Sequence, residues 1–277
     1  MSHAPRWFIQ MLMEAAFFAA YYGITNLKRI CMKNLYLAYG EQKSQEEYRE
    51  TTKRCFKNIS HAMLDLLYFV ERPKELSKIV EFAKEEHLQQ ALQLNRGIIA
   101  VTAHLGNFPL MFISLVQRGY KVNVLIRPMR NKDFSKFMFD LCAKWKINMI
   151  QTSPQKTFLK ESLGALKRNE LLFFLLDEVV PQGTGVPVNF FNTQVTRATG
   201  PLLFEERMGS HIVPIFIAQD DQKHFKISIE EPLVVEKQFD VQENNRRNIA
   251  SLTNTIERFV RKYPFQWGGW LNKRWAV

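Results

Sequence analysis

Beyond residue 97 the chain alternates between two textures. Short apolar runs fall at Gly97–Ala103, Lys121–Ile126, Ile147–Gln151, Leu171–Leu176, Ile212–Ala218 and Phe225–Ile229. Their length and β-branched content predict buried strands. Between them, mixed segments near Leu110–Gln117, Asp133–Lys144, Gln155–Lys167 and Gly200–Met208 carry helical spacing. Continuously apolar strands separated by helices predict a largely parallel sheet covered on both faces. Residues 1–95 have a different texture, mostly helical. Ser44-Gln45-Glu46-Glu47 has the form of a capping box and opens a helix through Tyr48 to about Phe69. Glu75 to Leu94 predicts a further charged helical stretch, and Asn245–Lys262 a C-terminal amphipathic helix. No internal repeat or low-complexity linker divides the chain. The expected fold is a single α/β domain with a central, largely parallel sheet flanked by helices, preceded by a helical N-terminal extension.

Composition sharpens the picture. At 277 residues, 46% hydrophobic and 13% aromatic, the chain can bury a large core. A formal net charge of +11 suits an anionic membrane, an acidic soluble partner or nucleic acid. The basic residues are dispersed, without a nucleic-acid-binding motif, so no nucleic-acid partner is expected. Cys31, Cys55 and Cys142 are scattered, with no CxxC pair and no neighbouring His at metal spacing. They suit a reducing compartment and buried apolar roles, and no metal site is expected. The segment from Trp7 to Tyr22 is apolar but carries Gln10 and Glu14. It is shorter than the ~20 residues of a spanning helix. It is not expected to be a cleaved secretion signal. Dense aromatics followed by Lys28, Arg29 and Lys33 favour an interfacial helix over an ordinary core helix. The division expected is residues 1–27 as a membrane-associated helix and 28–277 as the catalytic domain.

Candidate chemistry collects at strand ends, where open α/β sheets hold their ligands. His104-Leu105-Gly106-Asn107-Phe108 stops the first apolar run with a lone His and a tight turn. That imidazole either faces a cleft or caps a carbonyl. Arg127 follows the second run and suits an anionic group, whereas Arg130 suits a solvated loop. Asp177 and Glu178 follow another run, and one of them can orient an imidazole as the acid does in a triad. The alternative is an Asp that caps a turn. Farther on, Phe190 and Phe191 either line an apolar groove or belong to the core. The tail holds Trp267, Trp270 and Trp275 among Lys273 and Arg274, which suits a membrane interface or packing of the terminus on the domain. The remaining histidines fit structural or surface roles: His61, four before Asp65, suits a local pair, and His3, His87, His211 and His224 suit surface or strand-edge positions. There is no GxxxxGK[ST], no Rossmann glycine fingerprint and no GxSxG elbow.

In order along the chain, these blocks resemble the bacterial lysophospholipid acyltransferase-like family, which includes the late lipid A acyltransferases and the phosphatidylinositol mannoside acyltransferases. Arg29-Ile30 with Lys33-Asn34-Leu35 is similar to its N-terminal region, and Ala103–Phe108 to its His-x-Gly-Asn-aromatic block. Arg127-Pro128 with Asn131 resembles the second block. Asp177 with Val188-Asn189-Phe190-Phe191 and Gly200-Pro201 resembles the third, and Trp267–Trp275 the tail.

The resemblance implies a glycerolipid acyltransferase-like fold and transfer of a fatty acyl group from an acyl thioester to a hydroxyl of a glycolipid or lysolipid, a lipid A-type acceptor being favoured. The donor is an acyl carrier protein or coenzyme A thioester, with no further cofactor. Anionic membrane lipids are the other expected partner, at the cytoplasmic face of a bacterial inner membrane. His104 is the expected general base, with Asp177 and Glu178 as candidate acids. Gly106, Asn107, Arg127, Arg197, Phe190 and Phe191 are the expected substrate contacts, with backbone N–H groups at Gly106–Asn107 aiding the oxyanion and Asn107 more simply pinning the turn. One departure stands out. The family usually places an acid five positions after the His, and here that position is Pro109. Either another acid serves, or the chain is a catalytically impaired lipid-binding homologue.

Overall fold

The computed structural model describes residues 6–128 and 131–272. Arg130, Lys273, Arg274, Trp275 and His3 lie outside them. Three helices open the chain: α1 (Arg6–Gly23), α2 (Thr25–Tyr39) and α3 (Gln45–Phe69). Ser44 starts α3 with the predicted capping box, its hydroxyl accepting from Glu47 N–H while the Glu47 carboxylate accepts from Ser44 N–H at 2.7 Å. The stretch Glu75–Leu94 is not one helix. It divides into α4 (Pro73–Ile79), the short strand β1 (Val80–Ala83) and α5 (Glu85–Leu92). Lys84, in a left-handed conformation, breaks the run between β1 and α5.

The alternating region follows as β2 (Ile98–Thr102), α6 (Phe108–Gln117), β3 (Val122–Ile126), α7 (Lys132–Lys144), β4 (Asn148–Gln151), α8 (Gln155–Lys167) and β5 (Leu171–Leu175). A hairpin of β6 (Val186–Phe190) and β7 (Thr193–Arg197) leads to α9 (Gly200–Met208), β8 (His211–Gln219), β9 (Phe225–Ile229) and α10 (Val241–Lys262). Two short 3-10 turns, Pro264–Gln266 and Gly268–Leu271, end the described chain.

Seven of the described strands form one sheet in the order β1-β9-β8-β2-β5-β3-β4, parallel throughout except for β8 against β9. The central strands β2, β5 and β8 are buried along nearly their whole length, as continuous apolar runs require. One layer of core under the sheet joins α2, α3, α10, the hairpin and the C-terminal turns; the other joins α5, α6 and the opposite strand faces. Because β5 lies between β2 and β3, the chain order is broken at the centre of the sheet. Three carboxyl ends therefore meet at one crevice, the position at which such sheets hold ligands.

The N-terminal helices pack on the domain. Ile9, Met13 and Phe17 of α1 are buried, while Trp7, Met11, Phe18 and Tyr22 stay exposed. Glu14 of α1 accepts from Lys57 of α3 at 2.8 Å and lies 3.4 Å from Nε2 of His61. His61 thus faces a neighbouring helix. His87 is half-buried, with Nδ1 3.2 Å from the Ile229 carbonyl, a tie between α5 and β9. Among the described residues, no helix is long and apolar enough to cross a membrane.

Candidate active site

Strand register builds the site. Thr102 of β2 pairs with Leu175 of β5, so His104 and Asp177, two residues beyond each, stand side by side. Asp177 Oδ1 lies 2.9 Å from His104 Nδ1, and Oδ2 accepts the His104 backbone N–H at 3.0 Å. The indole Nε1 of Trp267 donates to the same Oδ2 at 2.7 Å. A carboxylate holding three N–H donors stays ionised. Burial alone would raise its pKa, but the His104 charge and these hydrogen bonds pull it down to about 2. An ionised acceptor fixes the neutral imidazole with its proton on Nδ1, which leaves the Nε2 lone pair free to take a proton. For His104 burial disfavours the charged form, yet the Asp177 charge and hydrogen bond, with Glu178 beyond, outweigh it and raise its pKa.

The turn after β2 is held from several sides. Gly106 has φ +58°, and a Cβ there would lie 2.4 Å from the Ile217 carbonyl oxygen, so only glycine fits. Its N–H donates to the Gln266 carbonyl at 2.9 Å. That amide is therefore committed, and the expected oxyanion role for it fails. Asn107 is buried and its Nδ2 donates to the Ala62 carbonyl of α3 at 2.8 Å, pinning the turn.

His104 also lines an apolar cavity of about 550 Å³. Phe108, Phe112, Ile113, Met138, Trp145 and Phe174 form much of its wall. Pro109 lies in the wall too, so the position where an acid was expected contributes apolar surface. Arg127 and Glu178 border the same cavity and pair with each other at 3.3 Å, both partly exposed. Of the two candidate carboxylates, Asp177 binds the imidazole and Glu178 binds the arginine. His104, Asp177 and Glu178 further border a second cavity of about 160 Å³ with Trp267 and the Gly268-Gly269 backbone.

Three expected substrate contacts sit elsewhere. Phe190 and Phe191 are buried in the core against Trp267, Trp270 and Tyr39, and neither lines the large cavity. The hairpin buries Val186, Val188 and Phe190 on one face, so its alternation points Phe190 inward. Phe191 turns the hairpin at φ +52°, held by an N–H bond to Glu257 of α10. Arg197 is fully buried on β7. Its Nη1 donates to the Asp177 main-chain carbonyl and its guanidinium lies 4.7 Å from the Phe190 ring. It braces the acid from behind and is not among the lining residues of the large cavity.

The described part of the tail packs inward as well. Trp267 and Trp270 are 1% and 0% exposed. Asn34 of α2 is buried and donates to the carbonyls of Trp270 at 2.9 Å and Asn272 at 3.1 Å, which explains an Asn at that position. Neither Trp267 nor Gln266 was foreseen as a support of the site. The only sequence sign was their place in the Trp-rich tail.

An apolar cavity with His104 in its wall and a carboxylate behind that imidazole suits acyl transfer. The family model of the bacterial lipid A biosynthesis acyltransferases matches residues 4–276. The chain belongs to this family. A search of curated proteins finds no match. Family membership makes the chain an acyltransferase of the lipid A type. The matched residues also span α1 and the C-terminal turns.

Proposed function

We propose that this acyltransferase moves a fatty acyl chain from an acyl thioester to a hydroxyl of a lipid A-type glycolipid, with His104 as general base. The observation that carries the reading is His104, bound to an ionised Asp177, in the wall of a 550 Å³ apolar cavity. The cavity suits an acyl chain, since apolar burial contributes about 0.8 kcal/mol per CH₂. The acceptor hydroxyl gives its proton to Nε2 as its oxygen attacks the thioester carbonyl. The tetrahedral intermediate collapses with cleavage of the C–S bond, and the imidazolium returns the proton to the departing thiolate. No acyl-enzyme is needed. Asp177 holds the imidazole in the required tautomer and stabilises its charged form. Arg127, half exposed at the cavity, suits a phosphate of donor or acceptor and would exchange its pairing with Glu178 for it.

The donor is an acyl carrier protein or coenzyme A thioester, and the basic balance of the chain favours either anionic partner. The exposed aromatics of α1 and the nearby Lys28, Arg29 and Lys33 favour attachment at the inner face of a bacterial cytoplasmic membrane. No observation favours the lipid-binding reading: it rests on the acid missing at Pro109, and Asp177 stands against the imidazole in its stead.

The test is mass spectrometry of host membrane lipids with and without expression of the chain, with His104→Ala as control. A lipid heavier by one acyl chain is expected with the parent and not with the variant. The same species at similar abundance with His104→Ala would overturn the assignment of the base.

A further inference from the structure

The C-terminal turns hold the catalytic turn and its acid by three hydrogen bonds. Gly106 N–H donates to the Gln266 carbonyl and Gly268 N–H donates to the His104 carbonyl at 2.8 Å, the pair that makes an antiparallel bridge between Leu105 and Trp267. The third reaches the acid itself, Trp267 Nε1 to Asp177 Oδ2. Oδ2 therefore receives two donors, the indole N–H and the His104 backbone N–H, while Oδ1 faces the imidazole. A carboxylate rotates about two side-chain torsions. One donor on Oδ2 leaves a swivel about that contact, and a second donor from another direction removes it.

Trp270 provides the contrast within the same aromatic cluster. Its ring centroid is 4.6 Å from that of Trp267, and it is equally buried. Its indole N–H goes to the Pro264 carbonyl and not to the dyad. We propose that Trp267 is a positioning residue for the His104–Asp177 pair, its indole N–H aiming Oδ1 of the carboxylate at Nδ1 of the imidazole. This rests on His104 being the base. The other charged groups around the pair are Glu178 with its partner Arg127, and Arg197 on the Asp177 carbonyl. None of them contacts the oxygen that Trp267 binds.

The test compares Trp267→Phe with Trp270→Phe in the full chain, each losing one buried indole N–H. The His104 ring is titrated by NMR, and transfer is measured on the lipid acceptor that the mass spectrometry identifies. Trp267→Phe is expected to lower the His104 midpoint by about half a pH unit or more, because the imidazolium loses a fixed counter-charge. Its kcat should fall about tenfold or more with KM little changed. Trp270→Phe should keep the parental midpoint. Equal midpoints and rates for the two variants, or an upward shift for Trp267→Phe, would overturn the proposal. Should Trp267→Phe not fold, the Trp267 Nε1–H resonance of the parent decides: it is expected to shift with the His104 titration, and indifference to it overturns the proposal. Activity in His104→Ala would sink the base assignment instead, so the two failures are separable.

Discussion

Asp177 is almost wholly buried and still ionised, because three N–H donors, one of them the neighbouring imidazole, replace the water it lost. The sequence offered two adjacent carboxylates and no local reason to choose. The turn that follows β5 makes the choice, aiming Asp177 at the imidazole and Glu178 at Arg127. The sign of the pH effect follows. His104 acts in its neutral form, and its raised pKa places the acid limb of kcat/KM above the ordinary histidine value of about 6.5. Asp177→Asn removes the counter-charge, so that limb should move to lower pH while kcat falls by about 10²–10⁴-fold. Glu178→Gln, tested alongside, should move the limb in the same direction but less, as the weaker of the two charges, and act on substrate affinity through Arg127. A pH–rate profile of both variants checks the pair. An unmoved limb in Asp177→Asn would mean that the imidazole works without this acid.

Among the elements, the strands legible in the sequence are those buried on both faces. Six apolar runs became β2, β3, β4, β5, β8 and β9. The three strands not foreseen are short or half-exposed. β1 is a four-residue edge strand within a charged stretch, and its structure comes from parallel pairing with β9. β6 and β7 alternate buried and exposed positions, a period-2 pattern present in Val186–Phe190 that could have revealed the hairpin. The turn joining β2 to α6 carries the tightest requirement. Gly106→Ala places a methyl group against the Ile217 carbonyl in a left-handed conformation. Such strain costs on the order of 1–3 kcal/mol before the clash is counted. Thermal unfolding should therefore show a clear loss of stability, and transfer should fall with it because the same turn carries His104. A parental melting temperature would show that the close approach relaxes freely.

For the whole molecule, α1 is apolar on two sides. One side packs on α3, and the other carries Trp7, Met11, Phe18 and Tyr22 toward solvent. The basic residues of α2, Lys28, Arg29 and Lys33, lie together on a neighbouring surface. An apolar face beside clustered cations suits an anionic bilayer surface. Phe18 and Tyr22 are more than half exposed, so Phe18→Glu with Tyr22→Glu should leave the fold intact. Each inserted side chain contributes on the order of 1–2 kcal/mol, so the pair should weaken binding to anionic vesicles by about tenfold or more. Co-sedimentation with phosphatidylglycerol-containing vesicles measures this, and unchanged binding would remove α1 from the membrane contact. The large cavity opens among residues of β3, β4, β5, α6 and α7 and the turn after β2, which no single element could build.

Periodicity along the chain was enough to determine the α/β class, the six sheet strands and most helices, because local spacing decides which face of an element is buried. It also set a lone His at a strand end beside a glycine that the turn demands. Tertiary structure alone decided which acid meets that His, since the partners stand 73 residues apart and are joined by β2–β5 register. It likewise decided that Phe190, Phe191, Arg197 and Trp267 support the site from within the core. Trp267 reaches Asp177 across 90 residues of chain. An aromatic or a buried cation has the same local pattern whether it faces a ligand, a membrane or the protein interior. Only the packing of distant segments distinguishes them.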